Sequence, residues 1–71
     1  MNNRAKVEML RKKYPAGTVL ELVSMDDAQA PEPGTKGKVI YVDDIGTIHV
    51  QWDNGSSLGL IYGEDSFKII S

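Results

Sequence analysis

The stretch TIHVQWDNGSSLGLI, residues 47–61, decides the fold. Ile48, Val50 and Trp52 fall on one side of an extended chain and Thr47, His49 and Gln51 on the other, the alternation of a half-buried strand. Asp53 ends that strand. Asn54–Gly55 is the strongest short hairpin signal, and the pair is expected to form a type I′ turn with both residues at φ > 0. The chain then returns as SSLGLIY, residues 56–62, with Leu58 and Leu60 on one face. Gly59 within that run signals a bulge or a close backbone approach. Trp52, in phase with Ile48 and Val50, is expected in the core, where one large ring dominates the buried area of so small a domain. Trp52, Asp53, Asn54 and Gly55 thus form a structural motif.

The same punctuation extends outward in both directions. KVIYVD, residues 38–43, is a strand, and DDIG, residues 43–46, is its turn, with Gly46 taking the positive φ that a short hairpin needs. TVLELVSM, residues 18–25, is an earlier strand. Between these two lies DDAQAPEPGTKG, with two prolines and two glycines in twelve residues, a long loop whose PEPG segment is a rigid bend. GEDS, residues 63–66, is a last turn, and FKII, residues 67–70, a fifth strand. Five short hairpin-linked strands with one long loop after the first describe a small antiparallel barrel.

Ahead of the strands the period changes. Val7, Leu10 and Tyr14 recur at i, i+3 and i+7, Arg4–Glu8 and Glu8–Lys12 have i,i+4 spacing, and Asn2 or Asn3 can cap. These features predict an amphipathic helix over residues 3–13, stopped by Pro15 and Gly17. Its apolar stripe is narrow, so it needs something to lie against. The expected organisation is mostly β, with a helical segment at residues 1–14 and a five-stranded barrel at 15–71.

Seventy-one residues allow one domain with a shallow core, and the absence of Cys leaves stability to packing and points to a reducing, cytoplasmic setting. No apolar run approaches the ~20 residues that span a bilayer, and MNNRAKVEMLRKK lacks the apolar middle of a secretory signal, so no membrane role or processing is expected. The net charge of −2 conceals a division: residues 1–14 carry +4 and residues 15–71 carry −6. Nucleic acid would be repelled by that acidic body and would engage only Arg11, Lys12 and Lys13. The plainer reading is that the basic segment faces its own acidic body or that of a second copy.

Chemistry has few places to reside. His49, the single histidine, points outward from its strand with no nucleophile at triad spacing beside it, so no catalytic residue is expected. The carboxylates pair as Asp26–Asp27, Asp43–Asp44 and Glu64–Asp65, and adjacent strand residues face opposite ways. They fit no calcium loop and read as turn formers, so neither metal nor cofactor is expected.

The run GTKGKV, followed by VDD-x-GTIHV-x-WDNG and Y-x-G-x-D, resembles an SH3-like barrel. More closely, residues from about Tyr14 to Ile70 resemble a family of short phage and mobile-element proteins catalogued as domain of unknown function 4314. Tyr14, Pro15, Gly17, the SMDD run at 24–27, Pro31, Pro33, Gly34, Trp52 to Leu58, Gly63, Asp65 and Phe67 carry that likeness. It implies a fold and no established activity; residues 1–13 lie outside it. SH3-like modules that bind peptides place a few exposed rings beside acidic loops. The resemblance therefore nominates Tyr41 and Tyr62 with Asp26, Asp27, Asp43 and Asp44 as a binding surface. The expectation is a non-enzymatic interaction module whose partner is another protein or a second copy. Two alternatives are an anti-defence accessory protein that sequesters a small ligand and nucleic-acid binding through the helix.

Overall fold

A computed structural model describes residues 3–71. The element order is α1 (Asn3–Lys13), β1 (Val19–Ser24), β2 (Lys36–Val42), β3 (Thr47–Trp52), β4 (Leu60–Ile61) and β5 (Ser66–Ile69). The helix has the expected bounds. Asn3 is already helical, and Asn2, the other expected cap, lies outside the described residues.

Neighbouring strands pair antiparallel in the order β4-β3-β2-β1-β5. This overturns the closed barrel, because β4 and β5 remain the edges of an open sheet. A flat sheet would hold those edges about 19 Å apart. The chain between Ile61 and Ser66 stretches to at most about 17 Å, and it is folded into a turn in which the Glu64 N–H donates to the Ile61 carbonyl at 3.1 Å. The sheet must therefore curl, yet among the described residues no ladder joins β4 to β5: the isolated bridge between Tyr62 and Asp65 lies within the turn that connects them. The gap has a local reason. The Ile61 N–H donates to the Asp65 carboxylate at 2.7 Å, and the Ile61 carbonyl accepts from Glu64 and Asp65, so the backbone groups a neighbouring strand would use are already paired.

The curled face holds the core. Leu20 and Leu22 from β1, Val39 and Val42 from β2, Ile48, Val50 and Trp52 from β3 and Leu60 from β4 are buried together with Val7 and Leu10 of α1 and Tyr14 just after it. The helix covers one end of the curl, with Leu10 and Val7 beside the Gly46 turn. The Tyr14 ring lies 5.5 Å from Phe67 of β5 and 6.3 Å from Tyr62 beyond β4. Packing by one tyrosine thus spans the seam that hydrogen bonds leave open.

Trp52 is 2% exposed, as its alternation demands, and its indole N–H donates to the Leu58 carbonyl at 2.8 Å. That bond accounts for one departure from expectation: the chain from Ser56 to Gly59 is irregular, and β4 has two residues rather than seven. The close approach expected at Gly59 is present, since a Cβ there would meet the Thr47 methyl at 2.6 Å. A second departure is that β2 starts earlier, with Gly37 in register with Trp52. A Cβ on Gly37 would stand 2.6 Å from Val50 Cγ1 and 2.8 Å from the Trp52 ring, so only glycine lets the strand pass under the indole.

The two hairpins share one turn. Gly46 N–H donates to the Asp43 carbonyl and Asp43 N–H to Thr47; Gly55 N–H donates to the Trp52 carbonyl and Trp52 N–H to Ser56. Each is a type I turn followed by a left-handed glycine, with φ of 90° at both Gly46 and Gly55. Among the described residues no non-glycine has positive φ, which corrects the type I′ expectation for Asn54. Its side chain instead accepts from the Ser56 N–H at 2.9 Å and fixes the turn from outside.

Removing the indole should cost about 3–5 kcal/mol, against a total of about 4–10 kcal/mol expected for a domain of this length. Trp52→Ala is therefore expected to be largely unfolded, and Gly37→Ala to lose about 1–3 kcal/mol by overpacking. Urea unfolding followed by circular dichroism tests both. A Gly37→Ala protein as stable as the parent would show that the ring seat is not tight.

Candidate functional site

The candidate binding residues fall in three places. β1 runs toward Asp26–Asp27 and β2 runs back toward Asp43–Asp44, so the two acidic pairs occupy opposite ends of the sheet, roughly 20 Å apart along the strands. They form no common surface. Asp26 is exposed in the long loop, and Asp27 is a turn former whose carboxylate accepts from the Gln29 N–H at 2.8 Å. Tyr62 belongs to the packed seam with Tyr14, and the Lys13 ammonium sits 5.3 Å above its ring.

Tyr41 and Asp43 do come together, through His49, and the cause is a bulge, whereas Asp44 pairs with Arg11 of α1. Val39 pairs with Val50 but Tyr41 pairs with His49, which leaves Ile40 as an extra residue in β2. Alternation therefore breaks, and Ile40 and Tyr41 both stand on the outer face between buried Val39 and Val42. Tyr41 and His49 stack with ring centroids 4.4 Å apart and planes 7° from parallel.

His49 Nε2 lies 2.8 Å from an Asp43 carboxylate oxygen. An ionised carboxylate only accepts, so Nε2 carries the proton and donates. The other Asp43 oxygen accepts from the Ile45 N–H at 3.1 Å and the Thr47 N–H at 2.8 Å. The hydrogen bond from His49, followed by those from Thr47 and Ile45 and by attraction to the ring, holds the Asp43 carboxyl below its ordinary value, while burial opposes the shift. Asp43 thus fixes both the hairpin turn and the imidazole.

On the helix side, Arg11 Nε donates to the Val42 carbonyl at 3.1 Å and its Nη2 to Asp44 at 3.0 Å. The ion pair is exposed and adds little energy by itself. Its geometry still ties the helix to the β2–β3 turn. Of the three cations nominated for nucleic acid, Arg11 is bound to the sheet and Lys13 lies over Tyr14 and Tyr62. Lys12 is exposed on the helix. The basic segment faces its own body, at least through these two residues.

His49 was legible only as an outward strand residue. Its partnership was hidden because Asp43 is not in its strand and because a bulge, which leaves no mark in KVIYV, sets Tyr41 opposite it. The turn itself held the available signal: in a three-residue hairpin loop closed by Asp43 and Thr47, a carboxylate at 43 can reach across to residue 49. Among the described residues no group of three or more His, Asp or Glu side chains is placed to hold a metal ion, and no helix is long and apolar enough to cross a membrane.

The architecture and site define a small, mostly β domain: a five-stranded open antiparallel sheet, one short helix, and a clamped aromatic hairpin on the outer face. The chain belongs to the family described as Domain of unknown function (DUF4314), which matches residues 3–70 and so takes in the helix as well as the sheet. No curated protein and no solved structure matches it.

The lowered Asp43 carboxyl makes a signed prediction. A depressed folded value means that its stabilising contribution is present above the ordinary value of 3.8 and is lost as pH falls through the lower folded value. Asp43→Asn should therefore be less stable than the parent near neutral pH, with the gap closing below about pH 4. Urea midpoints across the acid range measure this, and two parallel curves would mean that the carboxylate does not hold the turn.

Proposed function

We propose that this chain is a non-enzymatic, SH3-like interaction module that docks a protein partner through the β2–β3 hairpin. The curl of the sheet, the hairpin-linked strands and the long loop after β1 support the SH3-like grouping. Support for a binding rather than a catalytic role comes from Asp43, whose carboxylate is spent on two backbone N–H groups and one imidazole and so acts as a clamp.

The observation that carries the reading is Ile45. Turn tips favour Gly, Asn, Asp and Ser, which serve the backbone, whereas Ile45 is β-branched, sits at the tip and is 79% exposed. Ile40 and Tyr41 are exposed in the same hairpin. Clustered exposed apolar side chains on a rigid support are the usual mark of a contact surface. Here Asp43 and the Arg11–Asp44 pair supply the rigidity.

Ile45→Ser removes only an exposed side chain and should change stability by no more than about 0.5 kcal/mol. It is expected to weaken a partner captured by the parent chain, or its self-association in sedimentation, by about tenfold or more, the loss of a contact worth about 1.4 kcal/mol. Equal capture and equal sedimentation for both proteins would remove the hairpin tip as the docking surface.

A further inference from the structure

Charge in residues 15–71 is sorted by secondary structure. Eight of the nine carboxylates lie in loops and turns, and only Glu21 is in a strand; all three lysines, Lys36, Lys38 and Lys68, are in strands. All three lysines also share the outer face. Lys36 and Lys38 alternate with buried Gly37 and Val39, and Lys68 stands opposite Glu21, between residues that pair with buried Leu20 and Leu22. Glu21 faces Lys36 on one side and lies 3.5 Å from the Lys68 ammonium on the other. The middle of the sheet is therefore cationic on a chain whose sheet body is net acidic.

That face also carries a ring platform. Tyr41 is 53% exposed and stacked on His49, which Asp43 holds in place. Lys38 and Gln51 form a rung on the same side of the β2–β3 ladder, with only the Val39–Val50 rung between it and the Tyr41–His49 pair. Beyond it lies an open concavity of about 390 Å³ lined by Lys38, Gln51, Trp52, Asp53 and Gly55.

We propose that this outer face binds an aromatic base carrying phosphate: the base stacks on the Tyr41 ring, the phosphate lies toward Lys38 with Lys36 behind it, and Gln51 donates or accepts at the polar edge. Flat rings stack on any base, and lysines hold phosphate as point charges. The rim decides the size of the ligand. Asp26, Asp27, Glu32 and Asp53 at one end and Asp43 and Asp44 at the other repel a long run of phosphates laid along the strands. A free nucleotide, or the end of a single strand, fits that constraint. The inference is independent of docking at Ile45.

The test titrates the full chain with adenosine and guanosine 5′-diphosphate and, separately, with an eight-nucleotide single strand, following backbone and ring resonances by NMR. The expected result is saturable shifts at Tyr41, His49, Lys38 and Gln51, with Ile45→Ser binding as the parent does. Lys38→Glu and Tyr41→Ala should each weaken binding by about 5- to 150-fold while the spectra remain those of a folded protein. Tighter binding of the diphosphates identifies a free nucleotide, and tighter binding of the octamer a strand end; both sustain the site. No saturable shift on this face at millimolar probe, shifts confined to the α1 cations, or unchanged binding by both variants would overturn it.

Discussion

The four residues between Ile61 and Ser66 must join the two edges of a five-stranded sheet, and most of the architecture follows from that constraint. The sheet has to curl, and curling gathers its apolar face into a core. Closure by hydrogen bonds is then blocked locally, because the Ile61 N–H and carbonyl are already paired with the turn at Asp65. What remains is an apolar seam between β4 and β5. Tyr14 fills it from the end of α1, with tilted ring contacts to Phe67 and Tyr62 that each contribute about 0.5–1.5 kcal/mol beyond area burial. The helix is therefore part of the sheet's closure, which agrees with a family match that includes it.

Where a residue's role is set by its nearest neighbours in sequence, the role was legible. Val7, Leu10 and Tyr14 announced the helix face, Pro15 its end, and alternation in TIHVQW placed Trp52 inside. Where the role depends on a ring or a strand arriving from elsewhere, it was not. Gly37 read as loop punctuation, yet it belongs to β2 because the Trp52 indole lies against it. Leu58 read as a strand residue, yet its carbonyl turns to the indole N–H and the ladder breaks. Asn54 read as half of a type I′ turn, yet the hairpin adopts the turn that asks positive φ of glycine alone.

The candidate site divides in the same way. Tyr41, Asp43 and Asp44 were nominated by the SH3-like resemblance, which implies exposed rings beside turn carboxylates. Asp26 and Asp27 share the pattern and not the place, because antiparallel pairing of β1 and β2 sends the two acidic turns to opposite ends. His49 joined the group only through the Ile40 bulge, which shifts the register by one residue and turns Tyr41 outward onto the imidazole. A bulge is a tertiary decision: Val39 and Val42 must both be buried although they are three residues apart, and one extra residue reconciles the two phases.

Turn chemistry separates what the fold explains from what it leaves for function. Asp27, Asp43, Asn54 and Asp65 each accept a backbone N–H near their own turn, so their acidity or polarity is accounted for by local geometry. Arg11 and Lys13 are accounted for by Val42, Asp44 and the rings of the seam. Ile45 and Tyr41 stand outside that accounting, as do Lys36 and Lys38, since none of the four adds to the core or completes a turn. A small domain gains little from exposing a large apolar side chain at a clamped turn tip, or from gathering its strand lysines on one face. These four residues lie on one hairpin, held rigid by Asp43 from within and by Arg11 from the helix. On the proposed reading, recognition rests on β2 and the turn that follows it.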